Sequence, residues 1–450
     1  MVKQSGILLL IAAMAVISAC GSNNGNDSNG NSSSTNASTN GSSDASANES
    51  QEPAKDPVTI KYLTYTANGG QENTLKSMVE AFEAKNPDVK VDYEVVPYAD
   101  YDTKLTTLIS GGQAPDVYEL GYENFRKYAG KDLLLDLTPI ISADSSFDPS
   151  TYKKLAYDAF NYNGKQMGVT ESFSDVVLFY NKDLFDAKGV KYPDASWTWK
   201  EELDAAQKLA DPANGVWGTY SPFQFYEFYK TIAQNGGGVF DASGNPTINS
   251  QANIDAVQWM IDKAEKYKVS PAMNDDTFSQ PDADLNAFMS GKIAMARFGI
   301  WNFSRFKDAK FKWDIALEPG NTQKAHHFFA DGIVASKDTK QAEAVWKFMK
   351  YFTSDADSVN KRIAAGWSVP AVADDAVLDA YYKQAPPESK KVVIDALDSL
   401  VLPPVGPKPE KWGELQAAVT EQLDKAKFGK ISVKEALDNA QKSVADLLSK

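Results

Sequence analysis

Between residues 58 and 120 the chain switches repeatedly between two hydrophobic periods, and this constrains the fold more than any other feature of the sequence. Residues 58–65 alternate β-branched and aromatic side chains and run into Asn68-Gly69-Gly70, which predicts a strand ending in a loop. From Gln71 to Asn86 the apolar residues Leu75, Met78, Val79 and Phe82 recur at i, i+3, i+4 and i+7. That is the stripe of an amphipathic helix, stopped by Asn86-Pro87. Residues 89–96 predict a second strand, 98–109 a second helix halted at Gly111-Gly112, and 115–120 a third short strand. Strand, helix, strand, helix, strand is the pattern of a parallel sheet covered by helices. Ligands of such sheets lie beyond the carboxyl ends of the strands.

Composition narrows the class. At 450 residues the chain is long enough for two or three domains once an exported leader is removed. With 43% hydrophobic and 24% charged residues it is neither disordered nor an integral membrane protein. Against 46 Lys+Arg stand 60 Asp+Glu, a formal charge of −14 that repels a phosphate backbone and excludes nucleic acid as a partner. One cysteine, Cys20, and two histidines, His326 and His327, are too few for a disulfide framework or a structural zinc site.

The amino terminus reads as an address. Lys3 precedes an apolar run from Ile7 to Ile17, followed by Ser18-Ala19-Cys20-Gly21, the layout of a secretory signal over residues 1–19. The run is too short to span a bilayer. Residues 17–20 resemble a bacterial lipobox, which implies that the Cys20 thiol carries a diacylglycerol anchor. Residues 21–50 hold 10 Ser, 8 Asn and 4 Gly. A stretch with so little to bury predicts that residues 20–56 are a flexible tether, about 33 Å in root-mean-square span.

Beyond residue 160 the texture changes. Residues 168–171 and 175–180 predict extended segments, 181–185 the start of a helix, and 197–199 the lead into a helix over 200–209. Further helices are expected at 252–268, 283–291 and 342–353, and strands at 293–297, 313–317 and 328–335. The tail from Ser389 is mainly helical, broken by the proline-rich residues 403–409.

Four groups of residues carry a resemblance. They are Phe82-Glu83-Ala84-Lys85-Asn86-Pro87 with residues 111–117; Met167-Gly168-Val169-Thr170 leading to 179–185 and 197–203; residues 287–295 closing with Gly299-Ile300-Trp301; and residues 330–335 before 344–349. In this order they resemble the extracellular solute-binding proteins that serve ATP-driven carbohydrate importers, the maltose-binding-protein-like class. The resemblance implies an α/β fold of two lobes (a Venus flytrap), each a mostly parallel sheet flanked by helices and discontinuous in sequence. The expected lobes are residues 57–170 plus 331–362 and residues 171–330 plus 363–450, with crossings near 169–173, 328–332 and 361–366. It further implies a monomer on the outer face of a Gram-positive membrane that binds a mono- or oligosaccharide without cofactor or metal. No covalent bond is changed, and the sugar is delivered to a transmembrane permease of an ABC importer.

A sugar ring offers apolar C–H faces and a belt of hydroxyls, so its site needs aromatic planes and paired polar groups. By the resemblance, Trp301 lays an indole against the ligand, Gln224 and Tyr226 contact it, and Trp367 lines the cleft. Tyr122 and Glu123 follow the strand at 115–120 and face the cleft by position. Thr170, Glu171 and Ser174 lie at the first crossing, and Asp331 at the second, where a carboxylate accepts from two neighbouring hydroxyls. Trp346, at helical spacing with Val345 and Met349, reads as core. The alternative is a membrane-anchored glycosidase built on a carboxylate pair drawn from Glu119, Glu123, Glu171 and Asp175. No Gly-x-Ser-x-Gly elbow, phosphate loop or dinucleotide fingerprint is present.

Overall fold

The computed structural model describes residues 56–450, apart from 281, 368, 373 and 374. The leader, the tether and Cys20 lie outside the described residues. Strand β1 (Val58–Thr64) is followed by helix α1 (Glu72–Lys85), β2 (Val89–Val95), α2 (Tyr98–Ser110), β3 (Val117–Gly121) and α3 (Tyr122–Gly130). The helix α1 forms where its apolar stripe predicts, and buries Leu75, Met78, Val79 and Phe82. Phe82 packs edge-on to Phe348 at 5.2 Å between ring centroids. Phe348 belongs to a later helix, Ala342–Ser354, whose Trp346 is buried and donates its indole N–H to Asp144 at 2.9 Å.

Strands β4 (Gly168–Ser174), β5 (Val176–Asn181), β6 (Met295–Gly299), β7 (Trp313–Ala316), β8 (His326–His327), β9 (Phe329–Ala335), β10 (Val369–Pro370) and β11 (Leu400–Val401) complete the sheets that matter for the site. The first lobe is a six-stranded sheet in the order β10-β4-β9-β3-β1-β2. Within it β1 runs parallel to β2 and β3, whereas β9 is antiparallel to both β3 and β4. The second lobe is built around a three-stranded sheet in which β5 is antiparallel to β6 and β7. The sheets are thus mixed. Among the strands named here, parallel pairing joins β1 to β2 and β3, which are connected by helical crossovers, and joins the short β8 and β11.

The chain changes sheets at Asp175, between β4 and β5, and returns at Phe328, between β8 and β9. A third passage lies between Val372, which still bridges to Tyr152, and Ser389, whose backbone N–H and hydroxyl both donate to Asp314. That is later than the 361–366 of the sequence reading. The helix Ala356–Ala365 stays with the first lobe because Val359 and Ile363 are buried there, and β10 then adds to the edge of β4.

Candidate functional site

The carboxyl ends of β1, β3 and β4 and the helices of the second lobe enclose a cleft of about 1580 Å³. On the first-lobe side, β3 brings Glu119 beneath the loop that leaves β1. Its carboxylate accepts from the hydroxyls of Tyr62, Thr64 and Thr66 and from the backbone N–H groups of Tyr65 and Thr66, all within 3.0 Å. So many donors on one carboxylate fix the loop and leave Glu119 no free lone pair for catalysis. The loop in turn aims Tyr65 into the cleft, where its hydroxyl donates to Asp331 in a short hydrogen bond.

Glu123 sits one residue into α3 and lines the cleft, with Oε1 buried and unpartnered. Burial pushes its carboxyl up to about 7, and the nearby Asp331 adds to the shift. Asp331 itself is pushed up to about 6 by burial, which the hydrogen bond from Tyr65 opposes. Trp367 follows the left-handed Gly366 and also lines the cleft, its indole N–H buried and unpartnered. Arg362 stacks on the Trp367 ring, 4.7 Å from its centre.

On the second-lobe side the wall is aromatic. Trp301, 53% exposed, follows β6 and meets Phe329 edge-on at 5.8 Å. Phe329 stacks on His327 at 5.4 Å and lies 5.7 Å from Tyr226. Gly299 makes the Trp301 pose possible. Its backbone, φ −69° and ψ 145°, suits any residue, but a Cβ there would stand 2.1–2.2 Å from three atoms of the Trp301 ring.

Behind the aromatics lies a buried ion network. Arg297 makes a bidentate pair with Glu202 at 2.7 and 2.9 Å and donates from Nε to Glu318 at 2.8 Å. Lys230 pairs with Glu227 at 2.7 Å and closely with Glu318. The His326 Nε2 accepts the Glu318 backbone N–H at 3.0 Å, so its Nδ1 carries the proton given to Ser399. His327 donates from Nε2 to the Tyr226 carbonyl at 2.7 Å. Burial, reinforced by Lys230, lowers His326 to about 3 and His327 to about 4, so both stay neutral and support the wall.

Of the residues singled out in the sequence, Trp301, Tyr226, Gln224, Glu123, Ser174, Asp331 and Trp367 line this one cleft. Three do not. Tyr122 turns into the first-lobe core, since successive side chains at the start of α3 diverge. The Thr170 hydroxyl is buried and donates to the Ala156 carbonyl. Glu171 is buried and paired with Arg362 at 2.6 Å beneath the cleft floor. A bulge in β4 opposite Asp331 and Gly332 interrupts the alternation there, which spacing alone does not reveal. Asp175, with Glu119 and Glu171 a member of the catalytic alternative, is wholly buried at the crossing.

Sequence reasoning passed over Tyr65, Tyr98, Lys390 and Trp412, which also line the cleft. Tyr98, 73% exposed, follows Pro97 and packs edge-on to Tyr65 at 5.2 Å. Its outward position at the start of an otherwise amphipathic helix was the available signal.

Residues 67–358 match the family model described as bacterial extracellular solute-binding protein. The arabinooligosaccharide-binding protein of Bacillus subtilis is 28% identical over 318 residues, 68% of this chain and 71% of that protein. The maltotriose-binding protein of Pyrococcus abyssi is 25% identical over 374 residues, 79% of this chain and 76% of its own. Among solved structures, an ABC substrate-binding protein of Listeria monocytogenes in complex with cycloalternan is 43% identical. It superposes with a TM-score of 0.81 and covers 88% of this chain and 100% of its own. A match over most of the chain, with the same two-lobe architecture around one cleft, shows that the chain belongs to the bacterial extracellular solute-binding proteins, a family that binds its ligand rather than transforming it.

Proposed function

We propose that this protein captures an oligosaccharide in the cleft by closing its two lobes, and hands it to the permease of an ABC importer while tethered outside the cell by a lipid on Cys20. The observation that carries the reading is the mixed lining of one cleft: aromatic planes at Trp301, Tyr226 and Phe329 share it with carboxyls at Glu123 and Asp331. Aromatic faces cover the C–H surface of a sugar, and carboxyl oxygens take its hydroxyl protons. The volume, about 1580 Å³, exceeds the roughly 300–1,000 Å³ of sites for drug-sized ligands, which favours several rings over one. Relatives named for arabinooligosaccharide and maltotriose, and a neighbour bound to cycloalternan, support the same class.

Closure follows from the arrangement. A ligand held by one wall gains the contacts of the other only when the lobes approach, so its differential affinity shifts the population toward the closed form. Titration calorimetry of residues 56–450 with cycloalternan, maltotriose and arabino-oligosaccharides tests the proposal, with small-angle scattering on the same samples. Saturable binding, a smaller radius of gyration and an unaltered saccharide are expected. No binding to any saccharide of the panel, or cleaved product, refutes it. For the tether, Cys20→Ala should release the protein from the membrane fraction into the medium; retention of the variant counts against lipidation.

A further inference from the structure

Among the described residues, the buried cations have anionic company, with one exception. Arg297, Lys230 and Arg362 each sit within salt-bridge distance of a carboxylate. Lys263 lies in the field of Glu202 and Glu227 and donates to Ser221 at 2.7 Å. Lys390, only 5% exposed, has no carboxylate within 4 Å among the described residues. Its ammonium lies 4.7 Å from the centre of the Tyr381 ring and 5.7 Å from that of Phe303, and meets Gln384 Oε1 at a long 3.4 Å. An ammonium has three protons to give, and leaving them unused in a buried position is costly.

The charged groups around it are distant or engaged: buried Asp175, whose charge reaches Tyr381, makes no ion pair with Lys390. Lys307, across from Lys390, is another cation. Lys383 is paired with Asp379, and Arg305 with Asp282 at 3.0 Å. Asp314 is occupied by both donors of Ser389. Lys390, Lys307, Tyr381, Phe303 and Gln384 all line the cleft, so the open side of the ammonium faces the ligand volume.

We infer that Lys390 is a specificity-determining residue of the cleft, donating its ammonium hydrogen bonds to oxygen atoms of the bound saccharide at the Phe303–Tyr381 end. This deepens, and rests on, the saccharide reading above. It also gives the cleft a direction. Glu123 and Asp331 take protons from hydroxyls when ionised, whereas Lys390 only gives them. A ligand is thereby oriented with its hydroxyl donors toward the first lobe and its acceptor oxygens toward Lys390.

The test uses Lys390→Met, which keeps the length and apolar contacts of the stem, and Lys390→Arg, which keeps the donors. Affinity is measured by calorimetry for whichever of cycloalternan, maltotriose or arabino-oligosaccharide the wild type binds, with melting temperatures alongside. The Met variant is expected to melt no lower than the wild type and to bind about ten- to a hundredfold more weakly, the range of a hydrogen bond to a charged group. The Arg variant should recover part of the loss. Because burial and Lys307 lower the Lys390 ammonium to about 8, wild-type affinity should fall between pH 7 and 9, and that fall should vanish in the Met variant. A Met variant that binds within twofold of the wild type, or that keeps the alkaline fall, overturns the assignment while leaving the saccharide reading intact. A wild type that binds none of the three overturns both.

Discussion

On the first-lobe side of the cleft four carboxyl groups, Glu119, Glu123, Glu171 and Asp331, stand with a single guanidinium, Arg362. On the second-lobe side Glu202, Glu227 and Glu318 are set against Arg297, Lys230 and Lys263. The second set is balanced and internally bonded, so it acts as a rigid base on which Tyr226, His327, Phe329 and Trp301 are laid. The first set is unbalanced. Glu119 is saturated by neutral donors, and Glu171, paired with Arg362 through one oxygen, keeps the other unpartnered away from the cleft, while Glu123 keeps an unpartnered buried oxygen and lines the cleft. The difference shows where binding capacity resides: in a cleft-lining carboxyl with an unused oxygen on one wall, and in aromatic planes backed by buried ion pairs on the other. Lys390 is the exception on the second side, and for that reason is informative.

The contrast is broken most directly at Arg297. Arg297→Met leaves Glu202 without its ion-pair partner and Glu318 with Lys230 alone, and removing one member of a buried ion pair costs about 3–5 kcal/mol. Chemical denaturation should show that loss; a change below about 1 kcal/mol would mean that the network is not what stiffens this wall. Trp301→Ala removes an exposed plane with few internal contacts. Its melting temperature should hold while ligand affinity drops about thirtyfold, the roughly 2 kcal/mol of a hot-spot aromatic. Equal affinity in the variant removes Trp301 from the site.

Gly299→Ala acts on the same indole from below. The backbone tolerates alanine, so stability should be kept, but the displaced Trp301 ring should cost about tenfold in affinity. In a Trp301→Ala background the Gly299 substitution should then have no further effect, and an additive loss would show that Gly299 acts by another route.

The smallest effect is a slope with pH, and it has opposite signs on the two walls. Glu123 and Asp331 are raised to about 7 and 6. Between their ordinary values and these the folded protein holds the extra protons, so their contribution is present in acid and lost as pH rises. His326 and His327 are lowered to about 3 and 4. There the unfolded chain takes the protons first, so their contribution is present above about 6.5 and lost as pH falls. Glu123→Gln should therefore make stability rise more steeply with pH between 5 and 7, by at most about 1.4 kcal/mol per pH unit. An unchanged slope would mean that Glu123 titrates normally in the folded protein.

Much of this molecule was legible beforehand. The helix at 72–85 and the strands at 58–64 and 89–95 follow from local periodicity, because which face is buried is written in the spacing of a few neighbouring residues. Trp301, Tyr226, Glu123 and Asp331 were placed toward the cleft from motif and position, and line it. Thr170 and Glu171 do not line the cleft because Thr170 donates to the Ala156 carbonyl and Glu171, the extra residue of a bulge set by pairing with β9, meets Arg362. The third passage between lobes fell beyond 372 because side-chain packing of the helix at 356–365, rather than any breaker in the sequence, holds that segment to the first lobe.

The sequence by itself determined the elements, the acidic balance, the family and the kind of residue the cleft would present. Tertiary structure alone decided which carboxyls are spent on internal partners and which remain open. Tyr62, Thr64, Tyr65 and Thr66 are more than fifty residues from Glu119, and Arg362 is 191 from Glu171. Whether a charge is free depends on who stands within 3 Å of it, and for partners so distant along the chain only the folded state sets that distance.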